Sequence, residues 1–244
     1  MGIFAVWLAI QLGQGAVAPI GPPAASFKVG ERFDYSAKLG ILSLGSASME
    51  VAGIDTVRGQ AAYLFRFKLD GGNMFFKVSN TLESWTTVSD FKSLRFRNDN
   101  HENNTVRTHD FDIYPDSGFF RQRGRTTTEP TPTHPLDDAA FIYFVRSTPL
   151  EVGKTYQFDK YFRQAKNPLI IRVLKREEME LPDGSKVTCL VLNPVIDDRG
   201  MFADRSEARL WLTDDARRIP VQIRTKYPWG TVTLRLEKMT MPAA

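Results

Sequence analysis

From Phe27 onward, apolar residues recur at every second position in short runs broken by glycine, proline and acidic residues, the pattern of strands with one face buried. Phe33, Tyr35 and Ala37 open the series, and the 41–54 stretch continues it with a bulge expected at Gly45. Arg58-Gly59-Gln60 reads as a turn, after which Tyr63, Phe65, Phe67 and Leu69 form the clearest alternation, ending at Gly71-Gly72. Strands are predicted over 75–88 and 91–97, with a polar turn at Asn98-Asp99-Asn100. A hairpin joins 106–114 to 119–125 through Pro115-Asp116-Ser117-Gly118. The threonine- and proline-rich stretch 126–135 is expected to be a loop crossing between two halves of one domain. Strands resume over 154–162, 169–180 and 186–192, and the chain closes on a meander centred on Leu210, Val221 and Leu234.

Helical spacing occurs once. Leu136, Ala139, Ala140, Tyr143 and Phe144 fall at i, i+3, i+4, i+7 and i+8, a single apolar stripe. Thr133 or Pro135 would start this helix and Pro149 would end it. Asp137 and Asp138 suit its first turn, and Arg146 its last. About a dozen strands and one helix predict a mainly β protein: a large curved antiparallel sheet or open barrel with the helix packed across it, since a flat sheet so wide would leave too much apolar face uncovered.

Residues 1–26 stand apart. Ile3 to Ile10 form an apolar core of signal-peptide length, followed by the small-x-small pattern Ala16-Val17-Ala18, with a second cleavage option near Ala24-Ala25. The segment is expected to be a signal peptide or a disordered arm, and residues 27–244 a single β domain. No later segment has the length and hydropathy of a membrane helix. The net charge of +4 over 244 residues is too small to point to nucleic acid. The lone cysteine, Cys189, alternates with Val187 and Val191 and is expected to be a buried small hydrophobe.

Chemistry is sparse. The nucleophile elbow GxSxG, the phosphate-cradling loop and the dinucleotide GxGxxG are all missing from the sequence. His101, His109 and His134 lack metal-ligand spacing. The acidic doublets Asp137-Asp138, Asp197-Asp198 and Asp214-Asp215 point to opposite faces if extended, and suit a helix cap and turns. No catalytic residue, metal or cofactor is therefore expected. One arrangement is unusual: Arg121, Arg123 and Arg125 share a face of one predicted strand, Arg95 and Arg97 a face of another. With Arg107 they would form either a patch gripping phosphates or acidic sugars, or a solvated outer face that discourages edge association. Phe65, Phe67, Phe75, Phe76, Trp85, Phe96 and Tyr143 would line an apolar cavity or simply fill the curve of the sheet.

The sequence resembles a bacterial exported family, the domain of unknown function 3108. The likeness runs from Val29-Gly30-Glu31-Arg32-Phe33-Asp34-Tyr35 through Glu83-Ser84-Trp85, Leu136-Asp137-Asp138-Ala139 and Tyr143-Phe144-Val145-Arg146. Its most specific segment is Trp211-Leu212-Thr213-Asp214-Asp215-Ala216-Arg217-Arg218-Ile219-Pro220-Val221. The resemblance implies a periplasmic or otherwise exported β protein and carries no activity. Two non-enzymatic roles follow as expectations: a binding or carrier module for a lipid-like or anionic glycan component of the envelope, or a structural protein that supports the envelope by meeting another envelope protein.

Overall fold

The computed structural model describes residues 26–72, 77–196, 201–228 and 230–242. Residues 1–25 of the expected signal peptide, Phe75, Phe76, the Asp197-Asp198 doublet and Trp229 lie outside them. Fourteen strands form one antiparallel sheet. In chain order they are β1 (Arg32–Leu39), β2 (Leu42–Val57), β3 (Gln60–Gly72), β4 (Lys77–Thr87), β5 (Ser93–Glu102), β6 (Thr105–Tyr114) and β7 (Phe119–Gln122). Then follow β8 (Glu129–Pro130), β9 (Thr155–Phe158), β10 (Leu169–Glu180), β11 (Lys186–Val195), β12 (Arg209–Thr213), β13 (Pro220–Tyr227) and β14 (Gly230–Thr240), with helix α1 (Asp138–Ser147) between β8 and β9.

Two meanders, β1 to β8 and β9 to β14, are joined where β1 pairs with β14, which leaves β8 and β9 as the edges. Both edges are short, and β8 contains Pro130, so neither offers a long template for association. The sheet is not closed, yet it curls until its ends meet. Leu136, just past β8, makes a parallel bridge with Tyr161, just past β9: the Leu136 N–H donates to Lys160 O at 2.5 Å and the Phe162 N–H to Leu136 O at 2.9 Å. Phe162 is thereby delivered among Phe96, Phe111 and Phe120 of the opposite half, with ring centroids 5.9, 5.4 and 5.0 Å away.

Local chemistry sets the bends. Arg58-Gly59 is a two-residue turn with φ of +49° and +79°, the mirror-type hairpin geometry that follows the strand twist. The bulge expected at Gly45 is present: the β1–β2 register shifts there, and a Cβ on Gly45 would stand 2.1 Å from Asp70 O. Asn98-Asp99-Asn100 is not a turn, because pairing with both β4 and β6 holds these residues inside β5; the chain reverses at Asn103-Asn104 instead, with Asn103 at φ +52°. Strand β7 stops at Gln122, three residues short of the expected end, where Gly124 turns away at φ +80°.

Helix α1 departs from the expected stripe. Asp137, not Thr133 or Pro135, is its N-cap, its carboxylate accepting from the Ala139 and Ala140 N–H groups at 3.0 Å. Leu136 therefore belongs to the bridge and not to the helix. Ala139, Ala140, Phe141, Ile142, Tyr143, Val145 and Arg146 are all buried, so the helix is enclosed nearly all round, as an element inside a core is. Tyr143 stacks on Phe65 of β3 at 3.9 Å, and Phe141 lies 6.2 Å from Phe202, on the segment that enters from the opposite end of the sheet. Aromatic side chains thus pack against the helix from both sides. Phe65, Phe67, Phe96 and Tyr143 fill the core, whereas Trp85 faces the other side of the sheet, where Arg95 lies 4.6 Å from its ring.

Cys189 is buried beside Val191, opposite Thr213 of β12, and burial pushes its thiol up to about 12. At pH 7 it is a neutral thiol, poorly suited to nucleophilic chemistry.

Candidate functional site: the open half of the inner face

The two faces of β1 to β6 treat charge differently. On the outer face, Arg32, Glu50, Arg66, Glu83, Arg97 and Asp110 are consecutive cross-strand neighbours, a row of alternating sign six strands wide. Arg32 and Arg66 both reach Glu50 at 2.8 Å, and Arg66 also reaches Glu83 at 2.9 Å. Such pairs contribute little stability individually, about 0–1 kcal/mol each, but they leave this surface electrically balanced.

The arginines singled out in the sequence divide accordingly. Arg95 grips Asp110 through two hydrogen bonds of 3.1 and 2.7 Å, and Arg97 lies 3.2 Å from Asp99. Arg121, opposite Asp112, donates to the Tyr114 hydroxyl, and Arg123 sits between Asp110 and Asp112 at 3.6 and 3.4 Å. Arg125 is exposed beyond the strand end. Arg107 is on the other face: β6 alternation groups it with His109, Phe111 and Ile113, and separates it from Asp110 and Asp112. The structure therefore brings Arg95, Arg97, Arg121 and Arg123 to one face, already interleaved with carboxylates, and leaves Arg107 apart.

The inner face changes character along the strands. The row Val51, Phe65, Ser84, Phe96 and Phe111 is buried throughout. In the next row toward the strand tips, Phe67 is followed by half-buried Leu82 and Asn98 and by exposed His109. One row further, half-buried Leu69, Asn80 and Asn100 lead to exposed Arg107. Asn98 faces His109 and Asn100 faces Arg107, so four polar side chains form a grid with Cβ atoms about 5 Å apart across strands and about 7 Å apart along them.

Much of the hydrogen-bonding capacity of that grid is unspent. Asn98 accepts from Asn80 at 3.2 Å, and Asn100 donates to Glu102 at 3.1 Å. Among the described residues the Asn98 amide N–H groups and the Asn100 amide oxygen have no protein partner, and the His109 ring has only a face-to-face contact with Phe111, 6.2 Å between centroids. Arg163, from the segment after β9, lays its guanidinium over Phe111 at 4.9 Å and Phe162 at 5.4 Å. No carboxylate pairs with it among the described residues, and its Nε is buried without a hydrogen-bond acceptor. Arg107 has only a long contact of 3.8 Å to Glu102, both partners largely in solvent.

Asn98, Asn100 and Arg163 were not picked out from the sequence. The first two were disguised as a turn; the third follows an edge strand and is brought over Phe111 only by the curl of the sheet. His109 was noted as a strand residue, which it is. His101 lies 3.4 Å from Asp99 on the outer face, and His134 sits near Lys160 and Lys92, where burial first and those cations second hold its pKa below the usual histidine value. No group of three or more metal-ligating side chains occurs among the described residues.

A curled, unclosed antiparallel sheet wrapped on one buried helix defines a β-barrel-like protein. A family model, "Protein of unknown function (DUF3108)", matches residues 34–237, and the chain belongs to that family. Among solved structures it is similar to a beta-barrel-like protein of domain of unknown function DUF1849 from Brucella abortus, with 12% identity, a TM-score of 0.60, and coverage of 89% of this chain and 99% of that one. At that identity the likeness is one of fold. A hypothetical protein, CT021 from Chlamydia trachomatis, aligns over 87% of this chain and 88% of its own at 11% identity, with a TM-score of only 0.26. No curated protein matches the chain.

Proposed function

We propose that the protein is an exported, non-enzymatic binding module of the cell envelope that takes a polar glycan along the open half of its inner face. The observation that carries this reading is the contrast within that face: aromatic side chains and α1 fill one end, while at the other Asn98, Asn100, His109 and Arg107 present hydrogen-bonding groups that the described protein uses only in part. A lipid-like ligand fits less well, because the apolar interior at helix level is occupied by Phe65, Phe141, Tyr143 and Phe162. Export is supported by the apolar run Ile3 to Ile10 followed by small residues.

Affinity electrophoresis through gels containing envelope polysaccharide tests the binding, and cell fractionation with N-terminal sequencing of the mature chain tests the export. Retarded migration and a processed chain in the exported fraction are expected. Unretarded migration would remove the binding role, and an intact chain in the cytosol would remove the location. The alternative, a structural role through contact with another envelope protein, is favoured by one feature: Ile41 and Leu42 at the β1–β2 tip are 97% and 63% exposed.

A further inference from the structure

Of the charged groups along the inner face, Arg163 has no carboxylate partner among the described residues, and Arg107 has only Glu102 at 3.8 Å. Arg163 is held flat against Phe111 and Phe162, so its position is fixed by ring contacts and not by an acid. The face of the guanidinium is spent on the rings, and its Nε is buried without an acceptor, so this cation keeps hydrogen-bonding capacity that the described protein does not meet. Arg107 stands four residues from Phe111 on the same strand and the same face, which sets the two anchor points about 13 Å apart by strand rise. Between them lie His109 and, across on β5, Asn98 and Asn100. The outer face differs in degree: Arg66, Arg95, Arg97 and Arg123 meet carboxylates at 2.8, 2.7, 3.2 and 3.4 Å, against 3.8 Å for Arg107 and none for Arg163 among the described residues.

From this contrast we infer that the strip bounded by Arg163 and Arg107 recognises an anionic oligosaccharide, with acid groups of the ligand meeting the two guanidinium groups and its hydroxyls meeting Asn98, Asn100 and His109. The inference rests on the binding role proposed above and specifies its ligand. An extended strip with a cation near each end and neutral amides between suits several linked sugar units better than a single small anion. Both amides and the imidazole can donate and accept, as a sugar hydroxyl does, so the middle of the strip matches hydroxyl chemistry where the ends match acid. The acid groups are carboxylates of uronic acids or phosphates on the sugar, either of which can accept two hydrogen bonds from the guanidinium fork.

The test is titration of the isotope-labelled full chain, followed by NMR, with four probes: an oligogalacturonate, a phosphorylated malto-oligosaccharide, a neutral malto-oligosaccharide of the same length, and anionic phospholipid vesicles. One of the two acidic probes is expected to shift the side-chain amides of Asn98 and Asn100 and the backbone of 105–111, and to bind at least tenfold more tightly than the neutral one; which of them does so identifies the anion. Arg163→Gln and Arg107→Gln are each expected to weaken binding about tenfold, whereas Arg66→Gln on the outer face leaves it unchanged. Arg107 is exposed, so its variant keeps the test valid should Arg163→Gln disturb the aromatic cluster. Equal binding of the neutral probe, or tight binding of anionic phospholipid vesicles with none of either acidic sugar, would overturn the inference. If envelope polysaccharide retards the wild type and both Gln variants alike, the binding role stands and this assignment of its site fails; if it retards none of them, the two fail together.

Discussion

Two buried charged residues fix the ends of α1, and each makes a different demand on the fold. Asp137 is wholly enclosed, and burial pushes its carboxyl up to about 7, against the pull of the Ala140 N–H and the hydroxyls of Ser84 and Ser93. Because the folded value exceeds the unfolded one of 3.8, the protonated form is favoured by folding. The resulting stability is fully present below about 4 and is lost as pH rises toward 7. Urea denaturation across pH 4 to 8 should therefore show the wild type losing stability relative to Asp137→Asn over that window, and then running parallel to it. A difference that is flat across the range would mean the carboxyl is not perturbed. Asp137→Ala should cost about 2 kcal/mol, since it removes the helix cap and the 2.6 Å hydrogen bond from the Ser84 hydroxyl, which keeps only Thr86 Oγ1 at 2.9 Å as a partner.

Arg146, at the other end of α1, pairs with Glu31 through two hydrogen bonds of 2.5 and 3.0 Å, with both side chains essentially out of solvent. It also donates to the carbonyls of Ser26, Arg217 and Arg218, so one guanidinium ties the helix to the chain before β1 and to the β12–β13 turn. Removing one partner strands a buried charge: Arg146→Met or Glu31→Leu alone should cost about 3–5 kcal/mol, and the two together should cost less than the sum. Additive losses in that double-mutant cycle would show that the pair is not coupled.

At the scale of elements, the strands were legible where alternation is strict. Tyr63 to Leu69 and the last two strands, with Val221 and Leu234, bury one face as their pattern requires, whereas β12, with Leu210 and Trp211, is buried on both. The helix was legible as a helix, but its enclosure was not, because Phe141, Ile142 and Val145 fall outside the stripe that an exposed amphipathic helix would show. Polar strands were the other failure. Asn98-Asp99-Asn100 has the composition of a turn, and only pairing on both sides makes it strand. The candidate strip lies in that misread stretch, so the sequence concealed it for the same physical reason that makes it polar: these residues extend past the buried core. Arg163 was hidden differently, as its place depends on the meeting of β8 and β9, elements adjacent only through the curl. That meeting is itself testable. Phe162→Ala removes a fully buried ring that spans the two halves and should cost about 3–5 kcal/mol. Hydrogen exchange should also quicken at Leu136 and Phe162, whose amides form the bridge; unchanged exchange there would show the edges held together by something other than this ring.

As a whole, the molecule is a sheet curled around a helix and packed aromatic rings, with arginines and carboxylates paired on its outer face and polar groups open to solvent on part of its inner face. Wide antiparallel sheets must hide one face, and here a helix and two sets of aromatic rings do so only over the end where the chain crosses inside. The remainder of that face is free to meet something else. The direct measurement is affinity electrophoresis in envelope polysaccharide comparing charge reversals on the two faces. Arg107→Glu on the inner face should abolish retardation, while Arg66→Glu on the outer face should retain it. Loss with Arg66→Glu and retention with Arg107→Glu would place binding on the wrong side of the sheet and contradict the account.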